Sequence, residues 1–390
     1  MKIKPIVLAM LGSLVCSAGL YAQSFSGRVT TSLYAYERND TVNVSSRQTR
    51  GYQGFQFNLQ GKNLVLRSFG QVDHDFSTAL RGDAKVRLFN FYVQWQDGSR
   101  RAQIKIGRQP IFGGVAVGTI DGAQLKLRLT RWARLKAFAG GLMPANQKIE
   151  LIDDLDNNFL AGAQLRLLPR SNIHLGLSYF NKRQKRPGFN TLRADSIGNV
   201  FTQFIAPATR AFQMAALDAW WNIRSGTSLY GRTDFDVYDR KPTRIEASLR
   251  STLGEKWTVN GAYTYRSPRL PWNSIFSVFN TDENHEIEAG VYYRYTPDLQ
   301  FFGNGAVIVY PGDTSVRVSA GANTRLGSFN FVQRSGYAGN LFGVNAYLYK
   351  NLYQDKVMPN VQISWASYKL ASEANERIGL FSGAIGLILR

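Results

Sequence analysis

The chain of 390 residues has only three histidines, His74, His174 and His285. His74 stands between Asp73 and Asp75, and a histidine beside a carboxylate is the usual start of an acid–base site. A barrel hydrolase centred on His74 is one reading, although the sequence places no serine or second histidine beside it. No His/Cys/Asp/Glu spacing suits zinc, and no glycine loop suits a phosphate cradle, so no metal or cofactor is expected. The other chemistry on offer is attraction. Lys105, Lys126, Arg128, Lys136 and Arg166 fall on neighbouring apolar/polar alternations, with no acid at matching positions. A wall of one sign beside water attracts and orders anions. The segment 142–158 within that stretch is acidic, with Glu150, Asp153, Asp154 and Asp156. Folded inward, it would set a negative rim against the positive wall.

Strands must position these residues. Phe89-Asn90-Phe91-Tyr92-Val93-Gln94-Trp95-Gln96 alternates apolar and polar types, which writes one greasy face and one wet face. About twenty such segments follow one another from 24–37 to 377–389, or eighteen if 327–349 is loop. No stretch reads as a long helix. The expectation is an all-β fold, a transmembrane antiparallel β-barrel of about 18–20 strands. Tight turns such as Gly61-Lys62, Asp97-Gly98-Ser99 and Gly254-Glu255 alternate with longer links, 38–51, 142–158, 183–210 and 267–284. Short turns at one rim and long loops at the other suit an outer-membrane barrel. In the long links, Val200–Ile205 and the apolar residues Trp272, Ile275, Phe276 and Phe279 are candidates to plug the mouth. The basic run Lys182, Arg183, Lys185 and Arg186 is a candidate to face lipopolysaccharide phosphates.

Residues 1–22 read as a secretory signal, with Lys2 and Lys4 before the apolar run Pro5–Val15 and a cut after Ala22 or Ala18. Residues 23–390 then form the outer-membrane barrel, in the bacterial cell outer membrane. The only cysteine, Cys16, falls in the signal, so no disulfide is expected. The formal charge is +20, or +18 without Lys2 and Lys4. Nucleic acid is not an expected partner, because the cations are scattered through strands instead of gathered on one helix or tail. Aromatic residues make up 13% of the chain, as belts at two membrane interfaces require.

By alternation, the wet face carries Arg28, Arg67, Lys105, Lys126, Arg128, Lys136, Arg166, Arg232, Arg244, Arg250, Arg266, Arg294 and Arg317. It also carries Asp73, Asp218, Asp234, Asp236, Glu246, Glu286 and Glu288. Beyond residue 210 both signs mix, and lateral ion pairs are expected there. The pore-lining cations of interest are therefore Lys105, Arg108, Lys126, Arg128, Lys136 and Arg166, with Arg232, Arg244, Arg250 and Arg317 further on.

Ile104-Lys105-Ile106-Gly107-Arg108-Gln109, followed by Asp121-Gly122, resembles the GRQ…DG hairpin of bacterial porin-like barrels, including the alginate-export family. The resemblance covers about 25 residues closely, and the rest only as a strand pattern. It implies a basic lumen that passes anionic polysaccharide, with Arg108 and Asp121 near the pore. Read from the residues alone, Arg108 and Asp121 form a salt bridge that holds the hairpin. The combined expectation is a porin-like channel for passive diffusion of small hydrophilic, preferably anionic, solutes. Its partners would be outer-membrane lipid and lipopolysaccharide, the barrel assembly machinery and, in a homotrimer, two further copies. The last strand lacks the terminal aromatic that the assembly machinery reads, ending in Leu389-Arg390.

Overall fold

The computed structural model describes residues 24–41, 44–77, 85–144, 147–186, 188–194, 200–206, 208–268, 283–336, 339–369 and 376–389. The proposed signal, and all but the ends of the 267–284 link, lie outside them. Strands come first as β1 (Ser24–Thr41), β2 (Val44–Gln60), β3 (Leu64–Asp75), β4 (Lys85–Gln96), β5 (Ala102–Gly113) and β6 (Ala116–Arg128). They continue as β7 (Ala133–Leu142), β8 (Asn158–Arg170), β9 (Ile173–Arg186), β10 (Phe189–Ala194), β11 (Val200–Ile205) and β12 (Ala208–Arg224). Next are β13 (Thr227–Asp236), β14 (Lys241–Leu253), β15 (Trp257–Arg266), β16 (Asn284–Thr296) and β17 (Leu299–Tyr310). The last are β18 (Asp313–Thr324), β19 (Gly327–Gly336), β20 (Leu341–Tyr349), β21 (Val357–Tyr368) and β22 (Ile378–Leu389). Twenty of these form one sheet, while β10 and β11 pair only with each other.

The fold is the all-β, antiparallel barrel class expected. Successive strands pair antiparallel from β1 to β8 and from β13 to β22. Strands in the large sheet run from 9 to 18 residues, against the roughly 9–11 needed to cross a bilayer. One face of each is apolar and uncovered: Ile106 and Ile287 are each 62% exposed and Ile385 88%. A sheet in water would not leave such rows open, whereas lipid covers them. Aromatic pairs such as Trp257–Tyr293, with centroids 4.5 Å apart, sit at strand ends where an interfacial belt belongs.

Two sequence expectations are corrected, and the twenty-strand count is met. The link 38–51 is mostly strand, because β1 and β2 stay in register as far as Thr41↔Val44. The link 183–210 contains the β10–β11 hairpin, in which Val200, Phe201 and Phe204 are exposed. The segment 327–349 is two strands, β19 and β20, so the sheet has twenty strands.

The chain divides into two compact units, each described by itself. The first holds the residues up to Leu167 with Gly176–Ala215, and the second Leu168–Leu175 with Ala216–Arg390. A closed apolar core occurs in the first unit, where Ile111, Ala116, Ile120, Phe138, Leu142 and Leu160 are buried together and Phe180 packs against them. Burying each large aliphatic side chain there contributes about 1.5–3 kcal/mol.

Candidate functional site

The first unit brings the predicted cations together. Register sets Lys126 opposite Lys136, Arg128 opposite Arg134, and Arg134 opposite Arg166. Directly opposed residues in an antiparallel pair have Cβ atoms about 4.5–5.5 Å apart, and like charges there destabilise the sheet. Three such pairs meet on adjoining strands. None of these residues forms an ion pair among the described residues. Lys105 lies on the same face, opposite Gln124, with its ammonium 4.8 Å from the Tyr92 ring centroid.

Sequence reading missed Arg134, Arg100 and Arg101. Arg134 stands two residues before Lys136 and so shares its face, which the alternation could have shown. Arg100 and Arg101 belong to a turn, where alternation gives no facing. With Lys126, Arg128, Lys136 and Arg166, but not Lys105, they line a cavity of about 340 Å³ at the short-turn end of the strands, together with Gln96, Gln103 and Gln164. No carboxylate lines it. The nearest in sequence, Asp97, is consumed by its own turn, accepting from the Ser99 hydroxyl and, at 3.0 Å, from the Ala102 amide. Those bonds hold its carboxyl below the usual range.

The element that folds over this wall is the β5–β6 hairpin. Its own register is unbroken from Ala102↔Leu127 to Gly113↔Ala116. Its neighbours release it early: β4 pairs no further than Phe91↔Arg108, and β7 no further than Ile120↔Leu142. The freed tip lies over β7, β8 and β9. The Lys136 ammonium donates to the Phe112 carbonyl, and the Val115 amide donates to the Ser178 hydroxyl at 3.1 Å. Ile111 and Ile120 close the apolar core beneath, and Phe112 stands at the edge of the basic cavity.

The GRQ…DG pattern explains the bend. Gly107 has φ +122°, and a Cβ there would lie 2.3 Å from the Phe91 carbonyl oxygen. Gly122 approaches β7 so closely that a Cβ would lie 2.2 Å from the Ala139 carbonyl oxygen. Gln109 is fully buried and donates through Nε2 to the Lys105 and Gly122 carbonyls at 3.2 and 3.1 Å. Arg108 and Asp121 face each other in register, with their side chains only 4% and 9% exposed. Arg108 Nε and Nη2 donate to the two Asp121 oxygens at 2.7 and 2.8 Å. Nη1 donates to the Leu88 and Lys148 carbonyls at 3.1 and 2.7 Å, and Nη2 also to the Glu150 carbonyl at 2.8 Å. All five guanidinium donors are therefore used. By alternation the pair lies on the face of the hairpin opposite Ile111 and Ile120. Arg108 and Asp121 are thus a structural latch, as their residue types alone suggest, and not part of the basic wall.

Among the described residues no carboxylate of the acidic segment pairs with a cation of the wall. Through Lys148 and Glu150 the segment offers backbone carbonyls to Arg108. The Glu150 carboxylate lies 3.7 Å from Lys148. Asp154 pairs with Lys185 at 2.8 Å and accepts from Asn157. These two partners, Lys185 first, hold its carboxyl below the usual range. Asp153 and Asp156 are exposed, with no ion pair among the described residues. Lys185 is therefore taken, and Arg183 lies 5.8 Å from the Phe159 ring, so the basic run after Tyr179 is partly occupied within the chain.

In the second unit three of the four predicted cations are paired with carboxylates, although register there too sets Arg244 opposite Arg266 and Arg317 opposite Arg334. Arg232 binds Asp234 at 2.7 Å, Arg244 binds Glu246, and Arg317 binds Glu286 and Glu288 at 2.5 and 2.7 Å. Arg250 lies 5.9 Å from the Tyr292 ring centroid.

Alternation separates His74 from the two carboxylates beside it. Asp73 and Asp75 point to one face, where they pair with Arg87 at 2.6 Å and Arg50 at 3.6 Å. His74 points to the other, with its ring edge on Phe76 at 4.7 Å. Among the described residues no cluster of three or more His, Cys, Asp or Glu residues suits a metal ion.

No protein-family model matches this chain, and no curated relative does. Several solved structures are similar to the chain at low identity. OccD1 (OprD), in a doubly substituted variant, is 11% identical over 95% of this chain and 97% of its own, with a TM-score of 0.47. OccK5 (OpdH) of Pseudomonas aeruginosa is 12% identical over 94% and 99%, with a TM-score of 0.45. Wzi of Escherichia coli, described as an outer-membrane, carbohydrate-binding β-barrel, is 14% identical over 99% and 88%, also at 0.45. The fold class stands on the strand register itself.

Proposed function

We propose that the chain is an outer-membrane, porin-like channel through which small hydrophilic solutes diffuse, with a preference for anions. The observation that carries the preference is the run of like charges set opposite one another on β6, β7 and β8. A sheet accepts that cost where mobile counter-anions from water offset it. Solutes move along the wet face, and the cations raise the local anion concentration, an effect that ionic strength screens. The folded β5–β6 tip narrows the path beside the wall and brings passing solutes close to Lys136 and Lys126. The apolar rows and aromatic belts support a bacterial outer membrane as the location.

The test is conductance in planar bilayers under a potassium chloride gradient. The expected reversal potential lies on the chloride side of zero. A potential on the potassium side, or no conductance, overturns the proposal.

A further inference from the structure

Resting on the channel reading, we propose that the cavity at the short-turn end of β4, β6, β7 and β8 is a saturable binding site for a compact multivalent oxyanion. An anion preference needs only a positive field, spread along the whole wall. This cavity is more local than that. Arg100 and Arg101 come from the turn after β4, Lys126 and Arg128 from β6, Arg134 and Lys136 from β7, and Arg166 from β8. Seven cations thus converge on about 340 Å³ from one turn and three strands, joined by three glutamine amides and no carboxylate. The volume lies in the range of about 300–1,000 Å³ typical of small-ligand sites.

Residue type narrows the ligand. Five of the seven are arginines, whose planar forks bind phosphate and carboxylate oxygens two at a time. One monovalent anion would leave most of the charge uncompensated. A ligand with three or more charges on closely spaced oxygens would bridge the opposed pairs Arg128/Arg134 and Arg134/Arg166 at once. Gln103 and Gln164 add amide donors beside them.

The full chain in detergent is titrated calorimetrically with tripolyphosphate, with citrate and with chloride at constant ionic strength. The expectation is saturable one-to-one binding of tripolyphosphate, citrate or both, and none of chloride. Which of the two binds tells phosphoryl from carboxylate chemistry. Arg128→Gln/Arg134→Gln/Arg166→Gln should weaken that binding at least tenfold. Lys62→Gln/Arg224→Gln/Arg325→Gln removes the same charge at other short turns and should weaken it less than twofold. Heat-modified gel mobility checks that both variants fold. Binding of neither polyanion, or equal weakening by the two variants, overturns the site. A chloride-side reversal potential without saturable binding sinks this inference and leaves the channel reading standing. A potassium-side potential sinks the channel reading itself.

Discussion

The β6–β8 wall of the first unit and the wet-face arginines of the second differ in whether a carboxylate holds them. In the second unit each of Arg232, Arg244 and Arg317 is held by carboxylates on its own or a nearby strand. In the first, Lys126, Arg128, Arg134 and Arg166 face one another without an acid. Paired cations stiffen a wet wall and present little net field. Unpaired ones weaken the sheet and present a strong field. Net charge alone would have credited both regions with the same effect, and pairing is what separates them.

The comparison breaks most visibly if the unpaired wall is inverted. Lys126→Glu/Lys136→Glu/Arg166→Glu should carry the bilayer reversal potential across zero to the potassium side. The same potential under Arg317→Gln should shift much less, because that change only uncovers Glu286 and Glu288. Equal shifts from the two variants would remove the distinction between the units.

Arg108 belongs to the first unit but is paired, so it should behave as a stability residue. Arg108→Ala leaves Asp121 buried and unpaired, a loss of about 3–5 kcal/mol, read as a lower denaturant midpoint. Freed from its latch, the hairpin tip should also raise single-channel conductance while the reversal potential stays on the chloride side. Arg108→Lys restores the charge without the fork, and it should recover only part of the midpoint. Gly122→Ala forces a Cβ against β7 and should cost about 1–3 kcal/mol in the same unfolding measurement.

The smallest effect concerns Asp154. Its carboxyl is held below the usual range by Lys185, so its folded pKa is lower than its unfolded value of about 3.9. A depressed pKa contributes stability above the unfolded value, and that contribution is lost as pH falls through the folded one. Conductance should therefore be flat from neutral pH down to about 5 and change only in stronger acid. Lys185→Gln should move that change to higher pH. An unmoved transition would show that the pair does not hold the segment.

Much of this was legible in the residues. Alternation gave the strand count, the apolar face and the cluster Lys105, Lys126, Arg128, Lys136 and Arg166, because side-chain facing in a strand depends only on parity. Mixed signs after residue 210 correctly foretold lateral pairs. Parity could not show that β4 and β7 release the β5–β6 tip, since that depends on backbone approach at Gly107 and Gly122. Nor could it place Arg100 and Arg101, which sit in a turn. The acidic segment misled for a related reason. Its carboxylates are what the sequence displays, yet it is the carbonyls of Lys148 and Glu150 that meet Arg108.

The unbroken pairing within β5–β6, beside its early release by both neighbours, makes the tip modular in register only. Residues 109–119 share no ladder register with β4 or β7, yet Ile111 and Ala116 fill the buried core and Phe112 borders the basic cavity. Pore bore and wall are therefore joined through side-chain packing and not through strand register. A tip altered only at its exposed positions, Phe112 and Val117, would change the bore while the core and the wall stay in place.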